Sequence, residues 1–257
     1  MTASRRHAAR ARALLRPLLG ALRLPLRWLA RQEAFVLLTA FGVVLAVSGF
    51  IELAEEMREG EMHQFDEWIL RLARRTDDPA LMIGPRWLAE AVTDFTALGG
   101  TAVLTTVLFC AIGYLALLNR YGAAALVVVA SAGGGLLSVG LKQVFARGRP
   151  DIVPHLVTVE GLSFPSGHSM AAAVIYLTLG ALLARFAARR RLRIYVIAIS
   201  LGLTFLIGIT RVCLGVHYPT DVLAGWAAGL GWALLCWLVA RYLQYRGTVE
   251  TPGSAAR

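Results

Sequence analysis

Charge is scarce in this sequence. Asp, Glu, Lys and Arg make up only 16% of the 257 residues, against about 25% in a typical soluble domain. Cysteine is nearly absent: of three, Cys110 and Cys236 lie inside apolar blocks, which excludes a disulfide scaffold. Lysine is rarer still, with Lys142 alone beside 25 arginines. Proline is missing from every long apolar block. At 57% hydrophobic residues the chain can bury ample apolar surface, so disorder is excluded as well. The net charge of +10 would suit a soluble nucleic-acid binder, but its distribution argues against one, and no nucleic-acid partner is expected.

What is present is a series of six apolar blocks: Ala34–Ile51, Thr101–Leu118, Gly122–Leu141, Ser169–Ala184, Ile194–Thr210 and Val222–Ala240. A spanning helix needs roughly 20 apolar residues. The fourth block is short, with Arg185 at its end able to snorkel and Phe186-Ala187-Ala188 extending it. Backbone groups in lipid must be satisfied within the segment, so each block is read as a helix. The expected fold class is an all-α polytopic membrane protein with six transmembrane helices.

Charge then sets the direction. The connections on the side of the two termini carry 17 arginines and two acids, while the opposite connections carry nine cations and 14 acids. Because Lys and Arg flanking spans stay in the cytoplasm, both termini are expected there. Residues 1–32 form a basic segment whose Arg12, Arg16, Pro17, Arg23, Pro25 and Arg27 interrupt any signal-peptide core. The segment reads either as a surface-lying stretch on the anionic inner leaflet or as a tail held there by charge. Residues 33–246 are the expected membrane domain, and 247–257 a short disordered tail.

The first outer connection, residues 52–100, is too long for a bare loop. Phe65, Trp68, Ile69 and Leu72 repeat at helical spacing, as do Leu88, Ala91, Val92 and Phe95. Two short interfacial helices are expected, with Asp66 and Glu67 on a solvated face.

Chemistry gathers on the outer side. Lys142 ends the third span, seven residues before Arg149-Pro150; Pro165-Ser166-Gly167-His168 opens the fourth; Thr210-Arg211 ends the fifth, followed by His217 and Asp221. Of the five histidines, His7, His63 and His155 lie in the tail or loops, whereas His168 and His217 stand beside spans. Ionisable groups at that depth are functional candidates by default. His168, His217 and Asp221 would match a two-histidine, one-carboxylate metal triad, but three cations and a single acid in the motifs select an anion instead. Ser166 and Gly167 precede a helix, whose N–H groups and dipole would face that anion. Arg149 and Arg211 suit phosphate oxygens, and Lys142 adds a compact charge. Two imidazoles divide the work: His217 attacks phosphorus, oriented by Asp221 four residues on, and His168 protonates the departing oxygen.

Taken together, Lys142-x6-Arg149-Pro150, Pro165-Ser166-Gly167-His168 and Thr210-Arg211-x5-His217-x3-Asp221 resemble the three signature motifs of the type-2 phosphatidic acid phosphatase superfamily. The resemblance is tight over residues 142–221 and, through the six-span plan, extends over most of 34–245. It implies a phosphohistidine at His217 oriented by Asp221, with His168 as acid and then base. It also implies phosphate binding by Lys142, Arg149, Ser166, Gly167 and Arg211, and no metal or other cofactor. Thr210 stands where the family usually has serine, and keeps the hydroxyl.

The leading expectation is a phosphatase of a lipid phosphate or diphosphate, such as phosphatidate, phosphatidylglycerophosphate or polyprenyl diphosphate. It would act on the outer face of a bacterial cytoplasmic membrane, with membrane lipids around it. A soluble phosphomonoester remains an alternative substrate, because the motifs read only phosphate. A lipid or anion transporter would use the cations, yet has no use for a His–Asp pair opposite a second histidine. Oligomeric state is not legible.

Overall fold

The computed structural model of the chain describes residues 33–245. The expected basic segment at 1–32 and the tail beyond the last helix lie outside the described residues. The described elements are helices: α1 (Glu33–Glu59), α2 (His63–Leu72), α3 (Arg86–Ala97), α4 (Thr101–Leu117), α5 (Tyr121–Phe145), α6 (Gly167–Phe186), α7 (Arg190–Cys213) and α8 (Pro219–Tyr245). An isolated antiparallel bridge joins Arg74 to Met82 between α2 and α3.

The chain divides into two units at Phe41/Gly42. In the first, the described residues are the opening turns of α1, where the Thr39 hydroxyl donates to the Phe35 carbonyl at 2.8 Å. The packing and the site described below belong to the second.

Five helices (α1, α5, α6, α7 and α8) are long and apolar enough to cross a membrane. The short fourth block of the sequence gains residues at both ends, and α6 runs 20 residues from Gly167 to Phe186. α4, at 17 residues, is shorter than the block expected to span alone. It joins α3 across a 47° bend, and the pair together passes as a sixth crossing. The bend falls at Leu98-Gly99-Gly100, where Gly99 lies so close to α7 that a Cβ there would strike the Ile207 side chain.

The distribution of polarity is that of a protein in lipid. Phe109, Leu117 and Leu136 are exposed, while Asp66, Ser166, His217, Thr220 and Asp221 are buried. Broad apolar exposure around a polar interior needs an apolar solvent. The chain is a multi-pass membrane protein.

α6 is the centre of the packing, pressed most extensively against α7 and α8 and flanked by α5. Small residues allow this approach. A Cβ at Gly225 would lie 2.7 Å from the Ser166 carbonyl oxygen, and one at Gly229 would lie 2.7 Å from that of Met170. Any larger residue would push α8 off α6, a strain of about 1–3 kcal/mol per site. Beneath the α6 N-terminus, Phe164 is fully buried with Ala54 and Ala224. Its ring lies 5.0 Å from that of Phe145 and 5.9 Å from that of Phe50, which anchors the Pro165-Ser166-Gly167-His168 turn in an apolar bed.

Helix α2 corrects an expectation. In α2 the aromatic stripe is turned outward, with Phe65, Trp68 and Leu72 exposed, and the buried residues are Asp66 and Leu70. Asp66 is therefore not on a solvated face. Glu67 is half-buried and pairs along its own helix with His63 and Arg71. Where the medium is apolar, an aromatic face has no need to seek the core, and the ion-paired acid takes the inner position.

Candidate active site

Three chain segments build the site. The first is the loop after α5, which leaves the helix through Ala146 in the left-handed conformation at φ 46°. Ser163 staples this loop: its N–H donates to the Arg147 carbonyl at 2.9 Å and its hydroxyl to the Gly148 carbonyl at 2.7 Å. Arg149 grips the loop's far side, donating through Nε to Gly161 O at 3.0 Å and through Nη2 to Glu160 O at 2.9 Å. Lys142 Nζ donates to Leu162 O at 2.6 Å, and its Cε lies 3.6 Å from where a Gly167 Cβ would be.

The second segment is the N-terminus of α6. Ser166 caps it in extended conformation and is fully buried, with Ser169 Oγ donating to its Oγ at 2.9 Å. The Ser166 N–H is held by the Asp221 carbonyl at 2.9 Å. The N–H groups presented by this helix start are therefore those of Gly167 and His168, the first residues inside it.

The third segment is the turn from α7 to α8. Gly215, at φ +75°, closes α7: its N–H donates to Val212 O and the Val216 N–H to Arg211 O. These are the paired bonds of a glycine-terminated helix end. The left-handed glycine redirects the chain, and two residues later His217 is buried at the mouth of the site. α8 starts at Pro219, whose ring suits the first position of a helix. Asp221, in the first turn of α8, accepts the Tyr218 N–H at 2.9 Å and faces His217 Nδ1 at 3.3 Å through Oδ2.

The histidine's proton can be located. Guanidinium nitrogens only donate, so the 3.3 Å approach of Arg149 Nη1 makes His217 Nε2 the acceptor. Nδ1 then carries the hydrogen and directs it at Asp221. Burial, only partly offset by Asp221 and reinforced by Arg149 and Arg211, brings His217 down to about 4. The imidazole is thus neutral at physiological pH, with an unprotonated Nε2 whose lone pair meets Arg149.

The other motif residues converge on it. His168 lies within electrostatic reach of Arg211, His217, Arg149 and Lys142. Arg211 is buried, donates from Nη1 to Thr96 Oγ1 at 3.1 Å, and has an Nε without a hydrogen-bond partner among the described residues. All eight residues singled out in the motifs therefore belong to one site. Among the described residues no three His, Cys, Asp or Glu side chains form a metal-binding group.

Several residues of the site escaped the motifs. Arg147 donates to Asp221 Oδ1 at 2.7 Å, to Asp66 Oδ2 at 2.8 Å and to Thr220 Oγ1 at 2.8 Å. Arg74 reaches over the Gly215 turn, donating to Cys213 O at 2.6 Å and to Pro154 O at 3.2 Å. Thr96 positions Arg211 from α3. Arg147 had a faint signal, standing two residues before Arg149 in the first motif; Asp66, Arg74 and Thr96 had none.

A groove of about 550 Å³ leads from Gly167 and His168 along α4, α5 and α6 as far as Ile112 and Val128. Beyond Val128 its α5 wall is made of small residues, among them Ser131, Gly134 and Gly135. From Thr101 to Ile112 it follows α4 for about three turns, roughly 16 Å.

A carboxylate-oriented imidazole among cations, beside a second histidine that lines an apolar groove between membrane helices, is the arrangement of a membrane-embedded phosphoester hydrolase. The model of the PAP2 superfamily matches residues 122–245. Phosphatidylglycerophosphatase B of Bacillus subtilis is 33% identical over 184 residues, covering 70% of this chain and 86% of that protein. A lipid A 1-phosphatase of Rhizobium johnstonii is 39% identical over 115 residues, covering 41% of this chain and 43% of its own. Among solved structures, the transmembrane PAP2-type phosphatidylglycerolphosphate phosphatase from Bacillus subtilis superposes with a TM-score of 0.70. It is 28% identical and covers 82% of this chain and 99% of its own. The chain belongs to the PAP2 superfamily, and it is an enzyme acting on phosphate esters.

Proposed function

We propose that this protein removes a phosphate from a lipid phosphate or diphosphate at the extracytoplasmic face of a bacterial membrane, through a phosphohistidine on His217. The observation that carries the mechanism is the hydrogen-bond chain Arg149–His217–Asp221, which leaves Nε2 unprotonated and aimed into the cationic site.

In the first step Nε2 attacks phosphorus, the P–O bond to the lipid breaks, and His168 gives its proton to the departing oxygen. In the second, His168 takes a proton from water, the resulting hydroxide attacks phosphorus, and the P–N bond breaks to release inorganic phosphate. Lys142, Arg149, Arg211 (through its unpartnered Nε) and the Gly167 and His168 N–H groups hold the non-bridging oxygens as charge develops. Preorganised donors of this kind usually supply most of the stabilisation of a phosphoryl-transfer transition state. Ser166 contributes by fixing the turn against Asp221.

The groove supports a lipid. A headgroup at His168 can keep its chain along α4 and α5, within an apolar wall continuous with the bilayer. The activities for which the relatives are named, on phosphatidylglycerophosphate and on lipid A, are of this class. Counting α3 with α4 as one crossing makes six, which returns both termini to the same side. The arginine-rich connections make that side cytoplasmic, and α2 then lies at the outer interface. The test is release of inorganic phosphate by purified protein from a panel of phosphatidate, phosphatidylglycerophosphate, polyprenyl diphosphate and glucose 6-phosphate. Mixed micelles at matched surface concentration keep partitioning from passing as recognition. Equal efficiency on the sugar and every lipid would remove the lipid assignment; no release from any would remove the enzymatic one.

A further inference from the structure

Asp66, Arg147 and Asp221 form a buried ladder that ends on the nucleophile. The two carboxylates are fully buried, and the guanidinium between them has 13% of its side chain exposed. Its fork is divided: Nη1 serves Asp221 Oδ1 and Nη2 serves Asp66 Oδ2. Thr220 ties the same pair a second time, giving its N–H to Asp66 Oδ1 at 3.0 Å and its hydroxyl to Asp66 Oδ2 at 2.6 Å. The Tyr218 ring closes the remaining face, 4.0 Å from the guanidinium carbon. Among the described residues, none of these groups hydrogen-bonds Lys142, Arg149 or Arg211.

A carboxylate with two oxygens can turn about its Cβ–Cγ bond. In Asp221 that turn is blocked, because Oδ1 is pinned by Arg147 while Oδ2 meets the Tyr218 N–H and His217 Nδ1. Arg147 is in turn held from the far side by Asp66, a residue of the outer helix α2. Without the guanidinium, two buried carboxylates would face one another across Thr220 with no cation between them, an arrangement a low-dielectric interior does not tolerate. We infer that Arg147, anchored by Asp66, is a positioning residue for catalysis: it fixes the Asp221 carboxylate so that His217 keeps its attacking geometry. Helix α2 is thereby part of the catalytic apparatus. This inference rests on the reading of His217 as nucleophile.

The test uses purified full-length protein in detergent with dioctanoyl phosphatidate as probe. Arg147→Ala is expected to lower kcat about 100-fold while KM stays within about threefold, because the group lost acts on the nucleophile and not on bound phosphate. Ethylguanidinium at millimolar concentration should restore kcat at least about tenfold in this variant, since it replaces the missing fork. Asp66→Asn should lower kcat alone, and the double variant should cost less than the product of the two. If Arg147→Ala does not fold, Arg147→Lys serves: one ammonium cannot bridge both carboxylates, so kcat should fall about tenfold with the melting temperature nearly kept.

A rise in KM at unchanged kcat would make Arg147 a phosphate ligand and overturn the inference, as would wild-type kcat in Arg147→Lys or failure of ethylguanidinium to rescue. His217→Ala separates the two levels. If it is inactive while the Arg147 variants behave as wild type, only the positioning role falls. If it remains active, the nucleophile assignment itself has failed.

Discussion

Replacing Asp221 by Asn keeps the shape of the side chain and reverses half of its chemistry. Oδ1 faces Arg147 Nη1 at 2.7 Å, and Oδ2 faces the Tyr218 N–H at 2.9 Å and His217 Nδ1 at 3.3 Å. All three neighbours are donors, and an amide has only one accepting atom. With its oxygen toward Tyr218 and His217, the NH₂ confronts the guanidinium. Turned over, the NH₂ confronts the imidazole and favours the tautomer that carries its hydrogen on Nε2, which cannot attack. A buried donor left without its acceptor costs about 1–3 kcal/mol, more when charged, and about 1.36 kcal/mol is tenfold in rate. Loss of the carboxylate's stabilisation of the cationic histidine adds to this; in a serine triad the equivalent exchange costs about 10⁴-fold. Formation of the phosphoenzyme should therefore slow by about 10²–10⁴-fold, with substrate affinity changed little, because the hydrogen bonds of the Asp221 carboxylate go to Arg147, His217 and Tyr218 and not to the phosphate cations. Rapid-quench measurement with a ³²P-labelled lipid phosphate gives this step directly. A phosphoenzyme rate within about tenfold of wild type, in a variant of normal melting temperature, would show that the carboxylate does not orient the nucleophile.

Three further outcomes are expected. Since burial brings His217 to about 4, the imidazole stays neutral until the pH falls through that value. Its neutral burial contributes stability that is complete above the unfolded value of about 6.5 and lost as the pH drops toward the folded one. In ¹⁵N-histidine spectra, the resonance missing from His217→Gln should titrate near pH 4, and titration at or above 6.5 would contradict the site's electrostatics. Gly135 lines the groove with no atom within 4 Å of an added Cβ, so Gly135→Leu should fold normally and lower kcat/KM for long-chain lipid phosphates by about tenfold while sparing short-chain ones. Equal loss on both would mean the groove does not hold the chain. A cysteine at the exposed Thr158 should react with an impermeant reagent from outside intact cells; reaction only after lysis would reverse the orientation.

Much of this protein is legible in the order of its residues, because its strongest constraints are local. A helix in lipid needs a long run without charge, and such a run is visible without any partner. The asymmetry of arginine acts through each loop separately. The three motifs also keep their members close along the chain: His217 and Asp221 are one helical turn apart, and Gly215 sets the turn before them. Which face of each helix is inside was settled by packing. In water an apolar stripe marks the core, but in lipid both faces of a helix can be apolar, so the aromatic stripe of α2 pointed outward and the acid Asp66 inward. Its partner Arg147 lies 81 residues away, and no periodicity relates the two. The groove has the same origin, since small residues such as Gly134 and Gly135 line it only once α4, α5 and α6 are set side by side. Chemistry carried by neighbours in sequence is legible before folding. A buried charge depends on whichever residue the fold brings opposite, and that pairing is a property of the packed bundle.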